Sequence, residues 1–368
     1  MNKKLFFPLV FLVTLISLGL NHYLSQPVAS FHHDGKIIQL GWGTPPPTYI
    51  KEHIREMEQV PFDGLVLDLK SNHGPEDTRG YFSWNVWGSQ VLSPDDYSQS
   101  IEALKTTDFN KFTDNFLRFN LSPANVSWYD DEFQAVLKNS QLLATIAKDS
   151  KLKGIFLDTE QYGNKPQIFN YQREQEKKSS SFRDYQQQVR KRGRELMESL
   201  NSVYPNITIL LSYGYHRAYK DNAKSLETAS YGLLPSFLDG MLEAANTNTL
   251  IVDGYEFSYL YKRERQFQRA YSIIKDLGLE RTAVPNEFQQ HYKAGFGLWL
   301  DAYSKKRGWD INDLSKNYFS PEEFENSVSF ALKHSDGYVW IYSQRAKWWQ
   351  RNVPQPYIDA LKRAKNTI

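Results

Sequence analysis

The chain contains no cysteine, which excludes disulfides, thiolate metal sites, a cysteine nucleophile and the lipid-bearing cysteine of a bacterial lipoprotein. Charge of one sign is also lacking in excess. The 44 basic and 42 acidic residues leave a net +2, so no overall field draws the protein to nucleic acid. The eight histidines show no HExxH or similar ligand spacing, and no dedicated metal site is expected. There is no G-x-S-x-G elbow, no P-loop and no glycine-rich phosphate turn after an early strand. The last absence counts against an open doubly wound sheet, and no cofactor is expected. No linker, repeat or low-complexity tract divides residues 36–368.

The N-terminus carries Lys3 and Lys4 and then LFFPLVFLVTLISLGL, whose length falls between a signal-peptide core and a membrane span. Val28-Ala29-Ser30 offers small residues for cleavage. We therefore expect residues 1–30 to be a signal peptide or an N-terminal membrane anchor, and the rest to be periplasmic or extracellular, in either case exported. Residues 31–368 are read as one domain, and a monomer is expected.

After this segment, short apolar runs alternate with longer stretches of helical spacing. The runs are 36–42, 63–69, 116–122, 153–158, 206–212, 249–254, 281–287 and 336–342. Strand–helix alternation implies parallel strands, and eight units predict a closed (β/α)8 TIM barrel. The long stretches 70–93, 161–180 and 288–325 are read as insertions. In a barrel of this kind the loops after the strands build the active face.

The predicted carboxyl ends carry one consistent set of side chains: Trp42, Asp68, Asn120, Asp158 with Glu160, Tyr215 with His216, Asp253 with Glu256, Glu287, and Trp340 with Tyr342. Acids, amides and flat aromatics on one rim suit a sugar. Glycosidic cleavage needs two carboxyl groups across the bond, and sugar binding needs aromatic faces and hydrogen-bonding groups. The high aromatic content, 9 Trp, 23 Tyr and 22 Phe, agrees with stacking on sugar rings, although cores use the same residues. Competing readings stand beside these. Asp253-Gly254 is a common turn dipeptide. A lone His216 more often satisfies a local hydrogen bond, and Asp239 and Glu243, four apart, suggest one solvated helix face. The basic cluster 189–195 reads as an outer, solvated helix face. Asp63 and Asp336 precede their strands and are taken as structural.

The strand-4 acids, the strand-6 acids and Trp340-Ile341-Tyr342 resemble the active face of a (β/α)8 glycoside hydrolase. The segments GLWLDAY, SDGYVWIYSQRAKWW and DGYEFSY also resemble a family of exported bacterial barrel proteins grouped with glycosidases by fold. Asp158-Thr159-Glu160 is similar to the end of the family 18 chitinase signature, although the acids of that pattern two and five residues earlier are here Phe156 and Lys153. The resemblance implies a carbohydrate substrate, Glu160 as general acid, Asp158 as its partner and Trp340 as the floor of the sugar site. Tyr162 would wall the same cleft. Three arrangements of the second carboxyl remain open: Asp158 with Glu256, Asp158 with Asp253, or Glu160 with Glu287. Glu256 is favoured, with the remaining rim residues as substrate contacts. Two other classes compete. One is a non-catalytic carbohydrate-binding, envelope-associated barrel. The other is a metal-dependent barrel hydrolase holding a divalent ion through Asp158, Glu160, Asp253 and Glu256.

Overall fold

The computed structural model describes residues 35–41, 43–75, 80–162, 166–174, 179–221, 223–303, 308–350 and 352–367. The expected signal or anchor segment and Trp42 lie outside the described residues. None of the helices among the described residues is long and apolar enough to cross a membrane.

Eight parallel strands close on themselves in sequence order, β1 pairing with both β2 and β8. They are β1 (Lys36–Gly41), β2 (Gly64–Leu67), β3 (Phe116–Asn120), β4 (Gly154–Asp158), β5 (Thr208–Leu211), β6 (Leu250–Asp253), β7 (Tyr292–Trp299) and β8 (Tyr338–Ser343). Side chains alternate across each strand. Ile38, Leu40, Val66, Phe116, Phe156, Leu210, Val252, Tyr338 and Trp340 fill the barrel interior. Their neighbours, such as Leu67, Leu117, Ile155, Leu157 and Ile209, pack in the separate layer with the surrounding helices. This alternation decides which residues past the hydrophobic plug face the mouth.

The helical layer is α1 (Pro47–Met57), α2 (Ser98–Thr106), α3 (Phe133–Asp149), α4 (Phe182–Val203), α5 (Leu234–Glu243), α6 (Glu264–Arg281), α7 (Pro285–His291), α8 (Pro321–His334) and α9 (Gln355–Lys365). Helices α4 and α8 begin with reciprocal capping boxes, Ser181 with Asp184 and Ser320 with Glu323. The strand-start acids are structural: Asp63 Oδ2 accepts from the Ile37 amide at 2.8 Å, and Asp336 Oδ2 from the Ala294 amide at 2.8 Å.

The strand expected at 281–287 is absent. That stretch is the end of α6, a short connection and the start of α7, whose first residue is Pro285. A proline is pre-set for a first helical turn, where its missing N–H costs nothing. Strand β7 instead falls on YKAGFGLW, inside the stretch read as an insertion. Its glycines look like turn residues but make room. A Cβ on Gly297 would lie 2.6 Å from the Trp340 ring, and one on Gly295 would lie 2.9 Å from Val252.

The basic cluster 189–195 also differs from its expected solvated role. Arg192 is buried, donates to the Trp128 carbonyl at 2.8 Å and lies 4.4 Å from the Phe133 ring centroid. Arg190 and Arg194 both pair with Glu243 across α5. The two helices approach closely at Gly193 and Gly240. A Cβ on Gly240 would meet the Arg190 carbonyl oxygen at 1.9 Å, where neither backbone can yield cheaply. Gly240→Ala is therefore expected to destabilise the barrel by about 1–3 kcal/mol, the usual range for overpacking. A denaturation midpoint unchanged from wild type would contradict this packing.

Candidate active site

Beyond the interior plug, the strand ends place polar groups on a common floor. Asp158 is the last residue of β4 and is 4% exposed. Its Oδ1 accepts from Ser212 Oγ at 2.9 Å and from the Glu160 amide at 3.1 Å, and its Oδ2 accepts from the Tyr162 hydroxyl at 3.0 Å. The guanidinium of Arg118 stands 3.6 Å from the same Oδ2. Three hydrogen bonds and a cation hold this side chain in one orientation.

Glu160 lies two residues on, half-buried, with Tyr162 as a hydrogen-bond partner. Burial first, and the charge of Asp158 second, push its carboxyl up to about 7 against the pull of Tyr162, Arg118 and Arg217. Glu256 arrives from β6. Alternation turns Val252 inward and Asp253 outward; the chain then passes through Tyr255 in the left-handed region (φ 40°), its amide held by Asp253 Oδ1 at 3.0 Å. That turn starts a short 3-10 segment at Glu256, whose carboxyl is hydrogen-bonded by Tyr213 and Tyr259. Burial, then the charges of Glu160 and Asp158, raise Glu256 well above the ordinary carboxylate range. Two strands thus deliver three carboxyl groups within electrostatic reach of one another. They cannot all ionise cheaply.

Two more predicted residues join this floor. Asp68 accepts from Ser83 Oγ at 2.5 Å and from the Leu69 amide at 2.9 Å. Burial raises it to about 6, with Ser83 and Arg118 opposing. Asn120 accepts from Arg118 Nε at 2.9 Å and donates to Ser83 Oγ at 3.2 Å. Aromatic rings stand around them. Tyr162 stacks on Trp84 with centroids 5.9 Å apart, and Tyr342 stacks on Tyr259 at 5.6 Å, with Trp299 edge-on to both.

Other predicted residues lie elsewhere. Asp253 is buried on the outer side of β6 and accepts from the Tyr292 hydroxyl at 2.9 Å; burial raises it to about 6. Tyr215 is also buried, donating to Asp239 Oδ1 at 2.6 Å, so Asp239 joins a packing network in place of the expected solvated face. Glu287 sits on α7, on the approach to the start of β7, and not at a strand's carboxyl end. Trp340 is 0% exposed, its Nε1 donating to the Gly254 carbonyl at 2.8 Å beneath Tyr259. His216 is half-buried after β5 and stacks on Tyr255.

Sequence reasoning passed over Arg118, Ser212 and Tyr259. Strict alternation from Phe116 would have marked Arg118 as inward-facing. Tyr259 lies on an irregular turn and leaves no periodic signal.

Among the described residues no set of three or more His, Asp or Glu is arranged to hold a metal ion. Asp253, one of the four oxygen ligands considered above, points away from the other three. A separate concavity of about 470 Å³ lies at the amino ends of β1 and β2, lined by Lys36, Glu58, Asp63, Lys111, Lys362 and Lys365 among others. Its acids are already engaged: Glu58 accepts three backbone amides, and Asp63 pairs with Lys365. The paired carboxyls are at the other end.

No protein-family model matches the chain, and no curated protein matches it. Among solved structures it is similar to a GH18 chitinase from Pseudoalteromonas aurantia, at 13% identity over 89% of this chain and 99% of that one, with a TM-score of 0.45. It is also similar to a GH5-4 broad-specificity endoglucanase from Clostridium longisporum, at 11% identity over 89% and 88% of the two chains, with a TM-score of 0.49. An endocellulase from Pyrococcus horikoshii gives 10% identity over 91% and 92%, with a TM-score of 0.46. Likeness at this level assigns no activity.

Proposed function

We propose that the barrel is a glycoside hydrolase acting on a poly- or oligosaccharide, with Glu160 as proton donor. The observation that carries this reading is the contrast between two neighbouring acids. Asp158 is saturated with donors and a cation, whereas Glu160 is half-buried beside that charge and pushed up to about 7. A carboxyl that keeps its proton near neutral pH, next to one held by donors and a cation, suits the pairing that glycosidic cleavage requires. Glu160 protonates the departing oxygen, and Asp158 stabilises the positive charge that develops on the sugar. Glu160 and Glu256 share one proton, and while Glu160 holds it the ionised Glu256 is the second carboxyl that attacks or activates water. The rings of Tyr162, Trp84, Tyr259 and Tyr342 supply flat apolar faces for the sugar.

A specific observation favours one variant of this reading. Burial and neighbouring carboxylate charge raise Glu256 as well as Glu160, so the two can exchange roles, Glu256 giving the proton and Glu160 serving as the ionised partner.

Assaying reducing ends released from a panel of polysaccharides tests the proposal. A donor with a pKa near 7 is protonated below that value and loses its proton as pH rises through it. Activity is therefore expected to fall tenfold per pH unit above about 7. Sugar binding without any release of reducing ends would favour the non-catalytic, envelope-associated barrel. On the strength of the N-terminal basic and apolar segment, we also place the protein outside the cytoplasm, by secretion or by an N-terminal tether. Full-length protein confined to the cytosolic fraction would overturn that placement.

A further inference from the structure

The loop that follows β5 and the end of α6 bring positive charge together without neutralising all of it. Arg217, Lys220 and Arg281 surround His216. Arg281 Nη1 lies 3.3 Å from His216 Nδ1. A guanidinium only donates, so that nitrogen is an acceptor and the ring is neutral. Burial, then Arg281, Lys220 and Arg217, push the imidazole down to about 4, which agrees. The half-buried Arg281 also rests over the Tyr219 ring at 4.0 Å, and the exposed Lys220 lies 5.3 Å from the Phe257 centroid.

The nearby acids are taken. Asp221 pairs with Arg217 at 2.9 Å and accepts from Ser230, while Asp239 accepts from Tyr215, Thr282 and the Ala283 amide. Glu280, the preceding residue, adds an electrostatic attraction to Arg281 without a salt bridge. Among the described residues, no carboxylate stands within ion-pairing distance of Lys220 or Arg281. An aromatic path joins this group to the chemistry: His216 packs edge-on to Phe257 at 5.5 Å, Phe257 lies 5.2 Å from Tyr213, and Tyr213 hydrogen-bonds Glu256.

We infer that Lys220 and Arg281, the latter held by the neutral His216, form a subsite for an oxyanion-bearing sugar, a uronate carboxylate or a sulfate ester, at the far end of the aromatic path from the bond to be cut. This deepens the hydrolase reading and rests on it for the position of that bond. Arginine suits the role because its planar donors match a carboxylate or sulfate in pairs, and lysine adds a mobile point charge.

The test uses the full-length chain carrying Glu160→Gln, so that binding is read without turnover. Affinity is measured by calorimetry for a polyuronate, a sulfated glycan and a neutral glucan. The anionic glycans are expected to bind more tightly, and the preference to shrink with added salt. Adding Lys220→Gln and Arg281→Gln should weaken anionic binding by about tenfold or more, one factor of ten being 1.4 kcal/mol, and leave the neutral glucan unchanged. Lys220→Arg with Arg281→Lys should restore most of it. If Arg281→Gln fails to fold, the exposed Lys220→Gln alone should still weaken anionic binding about threefold. Retention of the polyuronate alone identifies a carboxylate, and of the sulfated glycan alone a sulfate ester. Equal affinity for charged and neutral glycans, or glutamine variants that bind as wild type does, overturns the subsite. Binding that follows charge while no glycan is hydrolysed would sink the hydrolase reading and leave the subsite standing.

Discussion

Glu160→Gln is expected to lower turnover on a verified glycan by about 10²–10⁴-fold, the usual worth of general acid catalysis, while the protein folds normally. The glutamine keeps the size and hydrogen-bonding capacity of the side chain but cannot release a proton. Glu160 is half-buried at the mouth, outside the packed plug of Phe156, Leu210, Val252 and Trp340. Its replacement therefore removes chemistry and little packing, and unfolding midpoints should agree with wild type. Asp158→Asn is expected to be comparably damaging for a different reason. It swaps one acceptor oxygen for a donor nitrogen facing either Tyr162 and Arg118, or Ser212 and the Glu160 amide. It also removes the charge that helps keep Glu160 protonated, so its activity should decline at a lower pH than in wild type. Full turnover in Glu160→Gln would remove Glu160 as the donor.

The second large effect concerns stability. Trp340→Ala should destabilise the barrel by about 3–5 kcal/mol, the cost of deleting a large buried aromatic and leaving a cavity. The ring is 0% exposed, contacts Phe156 and Tyr259, and satisfies its N–H on the Gly254 carbonyl. Gly297 has no side chain where that ring lies, so no neighbour fills the gap without a backbone shift. Trp340→Phe recovers part of the volume and loses the hydrogen bond, and should cost less than the alanine. Chemical denaturation of the two variants checks the order. A near-neutral Trp340→Ala, accompanied by weakened glycan binding, would instead mark Trp340 as the sugar platform that its place on the strand suggests.

Seven of the eight strands were legible as apolar runs bounded by turn residues, because burial on both faces leaves few polar interruptions. Strand β7 escaped because its two glycines make room for partners on other strands, Gly297 for Trp340 and Gly295 for Val252, and local composition cannot record that. The site was legible in its acids and less so in their directions. Asp158 and Asp68 stand where strand ends predict. Asp253 and Glu256, three residues apart, face opposite ways because β6 alternates up to Gly254 and Tyr255 then turns left-handed. A tyrosine in that conformation has no sequence signature. Arg118 could have been placed by counting inward from Phe116, since polar side chains at inward positions above the plug have only the mouth to face.

The measurement that tests the account most directly is the dependence of Glu160→Gln on the leaving group. Once a glycan substrate is identified, its dinitrophenyl glycoside provides a departing group that needs no proton, whereas the natural linkage needs one. The account predicts that Glu160→Gln cleaves the activated glycoside within a few-fold of wild type and the natural linkage about 10²–10⁴-fold more slowly. Glu256→Gln should be impaired on both. Equal losses by Glu160→Gln on the two substrates, or selective rescue of Glu256→Gln by the activated one, would contradict the assignment of the proton to Glu160.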